Sequence, residues 1–296
     1  MGYTLVYVDS PFQLLQYVEY SNRFVNENTK LIIRHNCSFE NDNQLDNLVN
    51  LFQINVYKIF KFKSNNIGVK NFLAIFFIML GSKNAIFGNS NSLAFRFFRN
   101  FFFKSSIILL DDGVGTLNSK KAHKKYKRFS IFNGIVPNVE HNDFRFLSSL
   151  VAQKDIPKVK IIVGAKLVEE LIVEQKVYFN LIKKIIDNLK SSKEDKRLVY
   201  IPHREESEES LFDLKKEFNL EIIRLNLPIE LIGLECSIYP ESISSVISTA
   251  LFSMKLFYPK ASVFVCPINE LDLLDRKEAI KNLYLNYKNY KVGNFI

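Results

Sequence analysis

Asp111-Asp112-Gly113, then His203 behind Ile201-Pro202, then the hydroxyl-dense run from Ser242 to Thr249 follow one another along the chain. Their residue types fit one chemistry. A carboxylate can take the proton of a sugar hydroxyl. A histidine, with hydroxyls and backbone N–H groups at a helix start, can neutralise a departing nucleotide phosphate. Adjacent acids repel each other, which lifts one pKa of the Asp111–Asp112 pair toward the working range. Protonated His203 could donate to a phosphate oxygen. Ser245, Ser248 and Thr249 stand where a helix is expected to begin, so they could add hydroxyls to its free N–H groups. Glu230, after Pro228-Ile229, could accept both hydroxyls of a ribose. Each motif also has a plainer reading. Asp-Gly pairs make turns, lone histidines sit on surfaces, serines cap helices, and Glu230 could be a loop acid.

The elements around these residues suggest how they are held. Leu5 to Val8 reads as a buried strand, followed by Asp9. Ser10 can cap the next helix, with Pro11 at its first position and Gln13 at its third. Leu31–Ile33 and Asn55–Ile59 read as strands, with a helix over Gln44–Leu51 between them. Asn84–Gly88 and Ser106–Leu110 are strand-length apolar runs ending in Gly88-Asn89 and Asp111-Asp112-Gly113. Strands alternating with helices predict a parallel sheet covered on both faces, with functional residues beyond the strands' carboxyl ends. Asp9, Ser10, Asn89, Asp111 and Asp112 all fall there.

Residues 133–160 read as irregular, and a domain boundary is expected near 155. A second alternating set follows: strands at Val159–Val163, Leu198–Ile201, Leu220–Leu225 and Ser262–Cys266, and helices at Leu167–Leu189, Leu211–Phe218, Ser245–Phe257 and Glu270–Leu285. Pro202 and His203 end the second of those strands. Two such halves predict an α/β fold of the GT-B class: two Rossmann-like domains, 1–155 and 156–296, whose parallel sheets face a central cleft.

Bulk composition narrows the partners. The 296 residues are 47% hydrophobic and 24% charged, and 40 Lys and Arg against 31 Asp and Glu leave +9. That excess favours an anionic partner: a nucleotide, an acidic glycan, nucleic acid or anionic lipid. The basic residues match no nucleic-acid-binding motif, so nucleic acid is set aside. Cys37, Cys236 and Cys266 lie far apart, with neither disulfide nor metal spacing. The first residues lack the basic segment and cleavage site of a signal peptide, and the longest apolar run, Phe72–Leu80, is too short to span a bilayer, which takes ~20 residues. A cytoplasmic protein is expected. Phe72–Leu80 and Phe95–Phe103 read as buried helices, with interfacial membrane attachment as the alternative. The lysines of Lys120–Arg128 read as a solvated loop or a contact for a polyanion or lipid surface.

The ordered motifs resemble those of the bacterial sialyltransferases of the GT-B type. Those families share an acidic-acidic-Gly motif, a His-Pro motif and a Ser/Thr-rich motif, matched here by Asp111-Asp112-Gly113, His203 and Ser245 to Thr249. Ser10-Pro11-Phe12-Gln13-Leu14-Leu15 is similar to the opening of the lipooligosaccharide sialyltransferase and polysialyltransferase groups (glycosyltransferase family 52 or related). The chain departs from them at Arg204, where the families carry Pro. The resemblance implies inverting transfer of sialic acid from CMP-sialic acid to a sugar hydroxyl of a surface glycan, with no metal or other cofactor. It implies Asp111 as general base on an acceptor-side first domain, supported by Asp112, Gly113, Ser10, Gln13 and Asn89. It puts the donor on the second domain, with His203 and Pro202 at its phosphate, Glu230 at the ribose, and Ser245, Ser248 and Thr249 around the phosphate. The partners so implied are a CMP-sugar and a glycan, with a homodimer and peripheral attachment to the inner membrane allowed. Another CMP-nonulosonate, Kdo or other nucleotide sugar as donor stays open, as does a non-catalytic membrane-surface role in polysaccharide assembly.

Overall fold

The computed structural model describes residues 2–24, 28–63, 67–102, 106–113, 116–117, 126–132, 138–152, 156–191 and 196–296. Two compact units divide the chain: Met1–Leu147 with Asn226–Pro228, and Ser148–Leu225 with Ile229–Ile296.

Seven strands build the sheet of the first unit: β1 Tyr3–Val8, β2 Thr29–His35, β3 Lys58–Lys61, β4 Ser82–Phe87, β5 Ser106–Leu109, β6 Lys127–Ser130 and β7 Val139–His141. Their order is β3-β2-β1-β4-β5-β6-β7, and every pairing is parallel. The helices are α1 Pro11–Arg23, α2 Phe39–Leu51, α3 Val69–Leu80, α4 Leu93–Phe101 and α5 Arg145–Val151, the last reaching into the second unit's residues. Leu5, Tyr7, Phe87, Phe95 and Phe98 form part of a core between sheet and helices. The chain runs outward from β1 through β2 to β3, then restarts on β1's other side with β4. That reversal makes the carboxyl ends of β1 and β4 the switch point of the sheet, where α/β proteins place their ligands.

The second unit repeats the plan with six strands: β8 Lys158–Val163, β9 Leu198–Ile201, β10 Glu221–Ile222, β11 Tyr239–Ser245, β12 Ser262–Val265 and β13 Asn294–Phe295. Their order is β10-β9-β8-β11-β12-β13, again parallel throughout, so the reversal falls between β8 and β11. Its helices are α6 Gln175–Lys190, α7 Glu208–Phe218, the short α8 Ile232–Glu235, α9 Ala250–Phe257 and α10 Lys277–Asn289. Tyr178, Ile182, Ile185, Tyr200 and Leu214 lie in its core.

Several expectations need correction. The hydroxyl run does not open a helix at Ser245: residues 239–245 are the central strand β11, and α9 begins at Ala250. Pairing on both sides, with β8 and β12, overrides the weak strand propensity of serine. The helix expected from Leu167 begins only at Gln175, because the preceding segment turns through Leu171, whose φ of 53° is left-handed. Residues 139–141 and 145–151, read as irregular, form β7 and α5. Lys127 and Arg128 belong to β6, whereas Lys120, Lys121, Lys124 and Lys125 lie outside the described residues. The apolar runs are helical but only partly buried: α3 turns only Ile75 and Met79 fully inward, whereas α4 buries Ala94, Phe95 and Phe98.

Candidate functional site

In the first unit, one helical turn of α1 organises the ends of three strands. Asp9 follows β1, and the Ser10 hydroxyl caps α1 by accepting from the Gln13 N–H at 3.4 Å. The Gln13 carboxamide then spans the switch point. Its Oε1 accepts from the Asp9 N–H at 2.9 Å, and its Nε2 donates to Asp112 Oδ1 at 3.1 Å. Gly88, after β4, gives it room, since a Cβ there would overlap the carboxamide. Asn89 turns the chain toward α4, its Oδ1 accepting from the Asn91 N–H at 2.7 Å. One turn further along α1, Gln16 brackets the backbone of Asp111. It donates to the carbonyl at 2.9 Å and accepts from the N–H at 2.8 Å. The Asp112 N–H donates to Thr116 Oγ1 at 2.8 Å, and Gly113 takes a φ of 53° that glycine adopts without strain.

The two adjacent acids are thereby given different environments. Asp111 is 0% exposed. Its Oδ1 accepts from the Ser130 hydroxyl and its Oδ2 from the Ile131 N–H, both at 2.7 Å. With both oxygens hydrogen-bonded in the interior, Asp111 ties β5 to β6, and burial pushes its pKa up to about 6 against those bonds. Asp112 is half-buried and follows β5, beside the switch point through its bond from Gln13. Burial, and next the neighbouring Asp9 carboxylate, push its pKa up to about 6, against the Gln13 hydrogen bond and the Arg34 charge. Arg34 itself pairs with Asp9 at 2.8 Å and lies over the Phe62 ring at 5.6 Å. Asp112 is therefore a carboxylate with a held orientation and a pKa just below neutrality, the properties a general base requires.

In the second unit, β9 ends at Pro202, which has no N–H to extend the ladder. The His203 N–H donates to Glu206 Oε2. Glu206 is buried, and its Oε1 accepts from the Tyr200 hydroxyl at 2.6 Å. Tyr200 meets the Tyr178 hydroxyl at 2.8 Å, which accepts in turn from the Ala165 N–H at 3.1 Å. Gly164, after β8, must lack a side chain because a Cβ would enter the space of Glu206 and Tyr200. Burial lifts the Glu206 carboxyl to about 7. Burial and the neighbouring Arg204 charge lower His203 to about 4. An imidazole held so low is neutral at pH 7 in the free protein. Its Nδ1 accepts from the Glu205 N–H at 3.2 Å, which places the single ring proton on Nε2 as one hydrogen-bond donor.

Beyond β11, the expected hydroxyl cradle is reduced. Ser245 is buried and donates to the Val163 carbonyl at 2.8 Å, so it holds β11 to β8 rather than facing a ligand. Ser248 caps α9. Its Oγ accepts from the Ala250 N–H at 3.3 Å, and its backbone N–H and carbonyl are both engaged by the Tyr287 hydroxyl. The Leu251 and Phe252 N–H groups also bond backward, to Ser248 and Thr249. Thr249 is exposed, and its side chain makes no cap bond. Glu230 is buried, accepts from the Ser253 hydroxyl at 2.5 Å, and has its pKa raised by that burial. With neighbouring strands about 4.8 Å apart and β8 between β9 and β11, the carboxyl ends of β9 and β11 stand about 10 Å apart, His203 following the first by two residues and Thr249 the second by four. Among the described residues, no group of three His, Cys, Asp or Glu side chains could hold a metal.

No family model and no curated protein sequence matches the chain. Solved structures do match. The sialyltransferase of Photobacterium damselae, residues 113–497 corresponding to its GT-B domain, aligns with a TM-score of 0.56 at 13% identity over 99% of each chain. The UDP-GlcNAc 2-epimerase of Neisseria meningitidis, bound to UDP-GlcNAc, gives 0.55 at 11% identity, over 100% of this chain and 95% of that one. The UDP-GlcNAc 2-epimerase of Methanocaldococcus jannaschii gives 0.54 at 10%, over 100% and 89%. The fold is GT-B. At these identities the likeness extends to the fold and not to the reaction.

Proposed function

We propose that the chain is an inverting, metal-independent glycosyltransferase that moves sialic acid from CMP-sialic acid to a sugar hydroxyl of a bacterial surface glycan. The observation that carries this reading is Asp112, an oriented carboxylate with a pKa of about 6 beside the first unit's switch point. In the reaction, the acceptor oxygen forms its bond to the anomeric carbon while its proton passes to Asp112. The bond from that carbon to the CMP phosphate breaks, and the electron pair leaves with CMP. His203 Nε2–H donates to a phosphate oxygen as its charge grows, and the Thr249 hydroxyl adds a second donor. The base in this reading is Asp112 rather than Asp111, the acid to which the resemblance assigns that role. Asp111, Ser245 and Ser248 become supports of the loops that carry Asp112 and Thr249. Glu230 serves the ribose only if Ser253 releases its carboxylate.

A second reading takes a different nucleotide sugar as donor. It is favoured by Arg204 in place of Pro and by fold neighbours that bind UDP-GlcNAc. Thermal unfolding with a nucleotide panel separates the two. CMP should raise the transition temperature, with UDP and GDP inert. Stabilisation by UDP or GDP but not CMP would transfer the donor assignment to the second reading.

A further inference from the structure

The helices α3 and α4 of the first unit carry an apolar surface that none of the described residues covers. Ile75 and Met79 point α3 onto the sheet. Ala74 and Ile78 pack against the core as well, but Phe72 is 38%, Leu73 45%, Phe77 66% and Leu80 54% exposed. On α4, Leu93, Phe97 and Phe101 recur every fourth residue, and Phe101 is 62% exposed. The two helices join into one aromatic patch: the Phe97 ring meets Phe72 at 5.1 Å, Phe76 at 5.5 Å and Phe101 at 4.4 Å. Monomeric soluble proteins rarely leave contiguous apolar ground of this kind open to water.

Charge identifies what covers it. From residue 47 to residue 110 the sequence contains no Asp or Glu and eight Lys or Arg. Lys70 on α3, Arg96 on α4 and Lys83, three residues past the end of α3, are exposed, and among the described residues they form no ion pair. A second copy of this chain would bring like charges together across the patch. An anionic bilayer would take phenylalanines at its acyl boundary and cations at its headgroups.

We infer that the α3–α4 face binds the surface of an anionic lipid bilayer, inserting Phe72, Phe77, Leu80 and Phe101 with Lys70, Lys83 and Arg96 at the phosphates. The inference is independent of the transferase reading, because its readout is binding alone.

The test is flotation of the full chain with phosphatidylglycerol-containing vesicles and with pure phosphatidylcholine vesicles, at low and high salt. The wild type should float with the former, weakly or not at all with the latter, and less at high salt. Phe77→Ser with Phe101→Ser, and separately Lys70→Glu with Arg96→Glu, should each lower partitioning at least about tenfold. Their thermal unfolding should match the wild type, since these side chains project into water. Wild type that stays unbound to anionic vesicles overturns the inference, as do variants that bind like the wild type. So does a concentration-dependent dimer that the phenylalanine variant abolishes and vesicles fail to compete.

Discussion

Replacing Asp112 by Asn should stabilise the protein while stopping its chemistry. The folded-state pKa of Asp112 is about 6, against 3.8 for the unperturbed group. Above both values the folded state carries a charge it would rather not hold. The penalty is the 2.2-unit difference times 1.36 kcal/mol, about 3 kcal/mol, with full burial assumed. Asp112 is half-buried, so solvent screening reduces the benefit of removing the charge to about 1–2 kcal/mol. Asn keeps an oxygen for the Gln13 Nε2 donor and ends the repulsion with Asp9. The gain should show at pH 8 as a rise of about 3–6 °C in the transition of the first unit. Below pH 3.8 it should vanish, because Asp112 is then protonated in both folded and unfolded states. Turnover should fall about 10²–10⁴-fold for loss of a general base. In Asp111→Asn the carboxamide meets Ser130 and Ile131 in the interior, and turnover should stay within about tenfold of wild type. Calorimetry at the two pH values and CMP-release kinetics on both variants decide the matter. If Asp112→Asn is destabilising at pH 8 or retains turnover, or if Asp111→Asn alone abolishes it, the division of roles between the two acids is wrong.

Other consequences are open to measurement. Glu206 has a folded-state pKa of about 7 against 4.5, so the folded state holds an extra proton between those values and stability falls as pH rises through them. The stability of Glu206→Gln relative to wild type should therefore improve by about 2 kcal/mol between pH 5.5 and 8, read by denaturant titration; an unchanged difference refutes the buried charge. His203, lowered to about 4, is neutral above pH 6, so whatever pH dependence CMP's own phosphate, with a second pKa of about 6, gives to CMP affinity between pH 6 and 8 should be the same in wild type and His203→Gln, measured by calorimetry. A rise in affinity on lowering the pH through 6.5 that the variant lacks would mean that imidazolium is the binding form. Gly164→Ala, crowding Glu206 and Tyr200, should weaken CMP binding as well as lower the unfolding temperature. Gly88→Ala, displacing Gln13 from Asp112, should cut transfer and leave CMP affinity intact. Equal effects of the two glycine variants on binding would undo this separation.

Much of the fold could be read from the sequence because strands buried on both faces are written as apolar runs. Leu5–Val8, Asn84–Phe87 and Leu198–Ile201 announce themselves in that way, and the Ser10-Pro11 cap fixed where α1 begins. The alternation of such runs with helices carried the GT-B reading. β11 escaped because its hydroxyls imitate a helix cap, and only the sheet contacts on both sides make Ser242–Ser245 a strand. β6 and β7 escaped because three or four residues carry too little pattern.

At the site, the sequence located the loops but not which atoms are free. Nothing in Asp111-Asp112 distinguishes the acid that faces Ser130 from the one that faces solvent, since β6 is remote in the chain. Gln16 and Glu206 went unnoticed as well. Gln16 lies three residues beyond Gln13 on α1, and Glu206 three beyond His203, spacings that a local reading could have weighed. Gly88 and Gly164 are small because of side chains packed against them from elsewhere, which no local pattern records. The exposure of α3 was hidden for the opposite reason: an apolar run normally signals core, and only the packing reveals which face is left open.

The claim on which the account turns is that Asp112 removes the acceptor proton in transfer from a CMP-activated sugar. It is tested most directly by incubating the purified protein with CMP-sialic acid and a panel of galactosides, and following CMP and the sialylated product together. Wild type should yield both in equal amounts, and Asp112→Asn should yield neither while still binding CMP. Wild type that releases no CMP, or an Asp112→Asn variant that makes product at the wild-type rate, would contradict it.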